Sequence, residues 1–176
     1  MNSTATTGVS QNSNNPLYAT TGGNETAGYQ AYYGSDMAQI TMPTVEANLA
    51  TVLGSHLLQR DIFCPNTINA SLPSMAGAGL TGASTGWNWY PVKASLLTEN
   101  QVYGSAVTSS SYYDVGDGNV KLPIFNFEHF TPASRTSFWL RVVSTSEKFS
   151  NAGGWGDVNN APANSSLGIF PMIVIG

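Results

Sequence analysis

The clearest helical period in the chain is carried by Val45, Leu49, Val52 and Leu53, which fall at i, i+4, i+7 and i+8 and make one apolar stripe. Thr41-Met42-Pro43-Thr44 precedes the stripe, and Pro43 suits a first helical turn because an N–H there would have no intrahelical partner. Gly54 follows and can end the last turn. A helix is expected between these signals, and His56, beside Leu57 and Leu58, reads as a satisfied core or boundary histidine rather than a ligand. Trp87-Asn88-Trp89-Tyr90 alternates large aromatic and polar groups as a strand does. Thr98-Glu99-Asn100-Gln101 then offers a Thr-x-x-Gln capping box for a short helix through Tyr103.

Later in the chain, Leu122-Pro123-Ile124-Phe125-Asn126-Phe127 reads as a buried apolar stretch and Phe138-Trp139-Leu140-Arg141-Val142-Val143 as a strand. On that strand Trp139 and Arg141 share one face and Phe138 and Leu140 the other. Trp139 is expected in the core, and Arg141 is expected as a buried cation held by Asp or Glu and backbone carbonyls. Ile169-Phe170-Pro171-Met172-Ile173-Val174-Ile175 is too apolar to be left free and should pair inside a sheet near the core. Residues 64–86 and 150–168, rich in Gly, Asn, Ala and Ser, read as long loops. Two short helices on small mixed or antiparallel sheets with long irregular loops give an α+β class. Residues 1–27, poor in apolar groups, read as a flexible N-terminal arm or linker before one domain over 28–176. The alternative for the arm is packing against a second copy or a virion neighbour.

Composition narrows the partners. Only 9% of the 176 residues are charged, yet 41% are hydrophobic, enough to bury an interior. Polarity comes instead from 16 Asn, 20 Ser and 17 Thr, so the surface is built from neutral hydrogen-bonding groups. Six Lys and Arg and a net charge of −4 argue against nucleic acid and anionic membranes, which are held by clustered cations. No apolar run is long enough to cross a bilayer, and the first residues lack a secretory signal pattern, so no membrane insertion is expected.

Cofactor and enzyme chemistry start from few residues. Cys64 is the single cysteine, which excludes an internal disulfide, and two histidines, His56 and His129, leave little for a His-centred triad or metal centre. Asp114 and Asp117 are too sparse for a calcium loop and read as turn residues. The glycines of Met75-Ala76-Gly77-Ala78-Gly79-Leu80 lack the lysine and hydroxyl of a phosphate loop. No metal, no cofactor and no catalysis are expected.

Between Phe149 and Gly168, Gly156 and Ala163 are interleaved with Ser150, Asn151, Trp155, Asp157, Asn159, Asn160, Asn164 and Ser166. Short adaptable donors and acceptors around a rigid aromatic are the mixture that antibody binding loops favour. The plainer reading is a solvated loop without a ligand; Trp155 is the residue that fits it worst, since an exposed indole invites a partner. These eight residues are the candidate ligand-binding set.

The order of Phe138-Trp139-Leu140-Arg141, Ser144 to Phe149, Gly156, Ala163 and Gly168-Ile169-Phe170-Pro171 resembles the C-type lectin fold family. The branch it resembles holds variable proteins diversified by retroelements and phage or viral structural proteins. Gly54-Ser55-His56-Leu57-Leu58, Leu96 to Gly104 and Leu122-Pro123-Ile124-Phe125 extend the likeness over roughly residues 28–176. One departure is Phe170, where the family usually has Arg, so a polar framework contact there must be absent or replaced. The resemblance implies a C-type lectin-like frame presenting a variable surface to a protein or glycan receptor on a host or target, from a virion or cell surface. It leaves as alternative a virion structural or decoration protein without a diversified site. Related oxidases of this fold need paired cysteines, and calcium-dependent sugar binding needs a Glu-Pro-Asn or Trp-Asn-Asp triplet; the sequence has neither.

Overall fold

Helix α1 spans Met42–Leu53, with proline in its first turn and Gly54 as its C-cap at φ 55°, where the Gly54 N–H donates to the Ala50 carbonyl. It belongs to a computed structural model that describes residues 32–35, 37–65, 87–105, 107, 121–126, 136–145, 148–162 and 165–176. A wider, π-type turn over Met37–Thr41 leads into α1. Pro43 lacks the N–H that would carry one ladder into the other, so the change of pitch falls where the proline stands.

The core-facing side of α1 differs from the expected stripe. Met42 is buried, and Val45 and Leu49 pack on the core, but Val52 is 82% exposed. Between Val45 and Leu49 on that same side stands Glu46. Its Oε1 accepts the N–H groups of Lys93 and Ala94, each at 2.8 Å, and so ties the helix to the turn between two strands.

Strands β1 (Leu57–Leu58), β2 (Arg60–Pro65), β3 (Trp87–Val92) and β4 (Ala94–Ser95) follow. Helix α2 (Glu99–Tyr103) comes next, then a 3-10 turn over Pro123–Asn126, and strands β5 (Phe138–Thr145), β6 (Lys148–Ala152), β7 (Val158–Pro162) and β8 (Met172–Ile175). They form three antiparallel sheets among the described residues: β1-β8-β4, β2-β3 and β5-β6-β7. The fold is a small α+β arrangement. The final strand is central in its sheet as expected, with Leu57 opposite Ile175 and Ala94 opposite Ile173, but it is not near the core along its whole length: Val174 and Ile175 are exposed, because the strand runs out past the elements that cover its start. His56 is exposed rather than core; its Nδ1 lies 2.7 Å from the Gly176 carbonyl oxygen.

Strand β5 divides the interior in two. Trp139 meets Phe149 edge-on at 6.4 Å in a cluster with Tyr32, Met42, Ile62, Leu96 and Ile169. Phe138 and Leu140, on the opposite face, join Leu97, Val102, Phe125 and Ala152. Burial on both faces explains why β5 reads as an unbroken apolar run around Arg141. Arg141 is fully buried, and its Nη2 donates to the Phe63 carbonyl at 3.4 Å, a long bond that meets the carbonyl part of the expectation. Phe170 packs against Phe125 and Phe138, with ring centroids 6.0 and 5.5 Å away, so an aromatic contact fills the position where a polar one was anticipated.

Helix α2 has the predicted capping box: the Gln101 N–H donates to Thr98 Oγ1 at 3.1 Å and the Thr98 N–H to Gln101 Oε1 at 2.9 Å. Unexpectedly, this polar helix is interior, with Glu99, Asn100 and Gln101 all buried. Glu99 Oε2 accepts the Val107 N–H at 2.6 Å. The stretch from Leu122 is less buried than expected; Phe125 is its buried member among the described residues. The long loop expected over 64–86 starts later, since Cys64 and Pro65 pair in strand β2 with Asn88 and Trp87; the rest of that segment, residues 1–27, Asp114 and Asp117 lie outside the described residues. Among the described residues no helix is long and apolar enough to cross a membrane.

Candidate functional site

The segment expected to be one irregular loop is a β-hairpin. β6 and β7 pair antiparallel, with Phe149 opposite Ala161, Ser150 opposite Asn160, Asn151 opposite Asn159 and Ala152 opposite Val158. Beyond the last pair the Gly153 N–H donates to the Asp157 carbonyl at 2.7 Å, and the Gly156 N–H turns back to the Gly153 carbonyl at 3.0 Å. Gly156 has φ 88°. A tight turn ending in a left-handed glycine is the three-residue hairpin connection with a bulge, whose backbone twist suits the flanking strands. The sequence signal for it is Gly153-Gly154-Trp155-Gly156-Asp157, with a glycine at 156, the left-handed position of the turn.

This connection places Trp155 at its apex, 90% exposed. Asp157, Asn159 and Asn160 are also exposed on the same hairpin. The Asn160 N–H donates to Asn159 Oδ1 at 2.8 Å, so an amide of this edge strand is occupied locally. Asp157 folds its carboxylate back over Gly153, where a Cβ would collide with it. Ser166 is exposed beyond a turn in which the Ser165 N–H donates to the Pro162 carbonyl at 2.9 Å.

Two of the candidate residues are not at the surface. Ser150 and Asn151 are buried, because β6 is the central strand of its sheet, flanked by β5 and β7 and covered on both faces. Ser150 shares its face with Ala152 and the second cluster, and its Oγ has no hydrogen-bond partner among the described residues. Asn151 sits opposite Trp139 on one side and Asn159 on the other. Asn164 lies outside the described residues. The structure therefore gathers Trp155, Asp157, Asn159 and Asn160 on one hairpin, sets Ser166 just past it, and withdraws Ser150 and Asn151 into the frame.

Tyr103 is a contributor that the sequence did not single out. Its hydroxyl donates to the Asp157 carbonyl at 3.0 Å, joining the end of α2 to the turn of the hairpin. Burial, and then the nearby Asp157 and Glu99 carboxylates, push its phenol well above the usual tyrosine range. Chemically, the exposed hairpin offers an indole face, amides and one carboxylate. Among the described residues there is no cluster of three or more His, Cys, Asp or Glu able to hold a metal.

No protein-family model, curated protein or solved structure matches the chain.

Proposed function

We propose that this protein is a non-enzymatic recognition module, in which a C-type lectin-like frame presents Trp155, Asp157, Asn159, Asn160 and Ser166 to a protein or glycan receptor. The observation that carries the reading is Trp155 at 90% exposure on the apex of a tight, glycine-shaped turn. Leaving a large apolar ring in water has no folding benefit, whereas an exposed indole offers a partner a large amphipathic contact surface. The amides around it are neutral and short, the composition of adaptable binding surfaces. Display from a virion or cell surface follows from the sequence resemblance and is part of the same proposal.

The test is a comparison of the full chain with a variant carrying Trp155→Ala, Asn159→Ala and Asn160→Ala, on an array of glycans and a panel of cell-surface ectodomains. Selective binding by the parent, weakly dependent on salt because the surface is mostly uncharged, should be lost in the variant with thermal unfolding nearly unchanged. Equal binding by both proteins would overturn the reading. A large drop in the variant's melting temperature would show that the hairpin is structural instead.

A further inference from the structure

The hairpin tip has a mechanical difficulty. Trp155 is flanked by Gly153, Gly154 and Gly156, and glycine is the residue with the most backbone freedom to lose. A side chain at position 153 would stiffen the turn only if the Asp157 carboxylate, which lies where its Cβ would be, moved aside. β7 is the edge strand of its sheet, so β6 is its one ladder partner among the described residues. Left to these contacts, the indole would sweep a wide cone and lose that freedom on binding.

We infer that Tyr103 is the positioning residue of this hairpin: its hydroxyl fastens the Asp157 carbonyl to helix α2 and thereby fixes Trp155 relative to the frame. The inference rests on the recognition reading above. Two hydrogen bonds converge on that one carbonyl oxygen, from the Gly153 N–H at 2.7 Å and from the Tyr103 hydroxyl at 3.0 Å. The first closes the turn; the second joins the closed turn to something that does not move with it. The anchor is firm at each end. The Thr98–Gln101 capping box sets the start of α2, Gly104 at φ 86° caps its end through the Asn100 carbonyl, and the Leu122 N–H donates to the Gln101 carbonyl at 2.8 Å. Tyr103 itself packs its ring against the second apolar cluster.

The acceptor is backbone, and this gives the contact its use. A carbonyl is present whatever side chain stands at 157, so residues 155, 157, 159 and 160 can change identity while the fastening persists. A side-chain clasp would have tied the frame to one set of displayed residues. The binding surface is thus separable from what holds it in place.

The test uses the full chain, labelled with 15N, as the parent, as Tyr103→Phe, which removes one oxygen and keeps the packed ring, and as Trp155→Ala. In Tyr103→Phe the Gly153 amide should exchange about 5- to 10-fold faster, the fold-change expected for losing one modest hydrogen bond from a local opening. The Trp155 indole N–H should show a lowered heteronuclear NOE, while β5 amides keep their protection. Trp155→Ala should retain parental exchange at Gly153, since the fastening does not involve the indole. Unchanged Gly153 exchange and indole order in Tyr103→Phe would overturn the inference, as would a uniform loss of protection throughout the molecule, which would mark a core role. None of these readouts needs a receptor; failure of the recognition reading would show instead as equal binding by the triple-alanine variant.

Discussion

Strands β6 and β7 are hydrogen-bonded neighbours of similar polarity, Lys-Phe-Ser-Asn-Ala against Val-Asn-Asn-Ala-Pro, yet they belong to different parts of the molecule. β6 has β5 on one side and β7 on the other, and Phe149, Ser150, Asn151 and Ala152 are all buried; β7 is an edge, and Asn159 and Asn160 face water. Asn151 and Asn159 stand directly opposite one another. The same side chain, one strand apart, is framework in one place and surface in the next. What divides interior from surface here is position in the sheet, not composition.

The sharpest way to test that division is to remove an aromatic from each side. Phe149→Ala deletes a ring fully buried against Trp139 and should cost about 3–5 kcal/mol, whereas Trp155→Ala should stay within about 0.5 kcal/mol. Urea unfolding of both variants checks this, and comparable losses would erase the distinction. A charge offers the next test. Asn151→Asp places a carboxylate in the interior and should cost about 3 kcal/mol, while Asn159→Asp, facing solvent, should be close to neutral.

Alkaline pH probes the frame without mutation. Burial, the largest cause, holds the Tyr32 phenol above its ordinary range, against the Leu96 N–H that it accepts at 3.1 Å. The folded state keeps this proton while the unfolded chain releases it, so the stabilising contribution is complete below about pH 10 and is lost above it, by about 1.4 kcal/mol per pH unit. Melting temperature should therefore fall on raising the pH from 10 to 11, and Tyr103, shifted the same way, adds to the fall. A flat profile over that interval would mean that neither phenol is held neutral by the fold.

Sequence made the locally encoded parts of this architecture visible. The capping box at Thr98 and Gln101, the proline-led entry to α1, the aromatic alternation of β3 and the apolar runs of β5 and β8 each carry their signal within a few residues. Tertiary choices did not show. Val52 has helical spacing but lies beyond the surface that α1 covers, while Glu46, polar, faces inward to cap Lys93 and Ala94. The hairpin was hidden because Asn, Ser and Gly suggest loop, although the glycines around Trp155 encode a specific turn. Burial of Ser150 and Asn151 depends on which strands lie to either side, and nothing in β6 itself states that. Tyr103 escaped notice because its role is to reach a backbone atom 54 residues away, a contact no local motif announces.

The smallest effect tests the frame at its least satisfied point. Ser150 Oγ is buried without a hydrogen-bond partner among the described residues, opposite the exposed Asn160. A buried hydroxyl that has left water and found no partner carries a desolvation cost, and Ser150→Ala removes the hydroxyl while keeping the Cβ that fills the strand position. The variant should gain about 0.5–1 kcal/mol, seen as a rise of about 1–4 °C in melting temperature. Asn160→Ala, its cross-strand neighbour, faces water and should change stability by less than about 0.5 kcal/mol. If Ser150→Ala lost a kilocalorie instead, the hydroxyl would have a hydrogen-bond partner in solution that offsets its desolvation, and the interior of β6 would be fully satisfied.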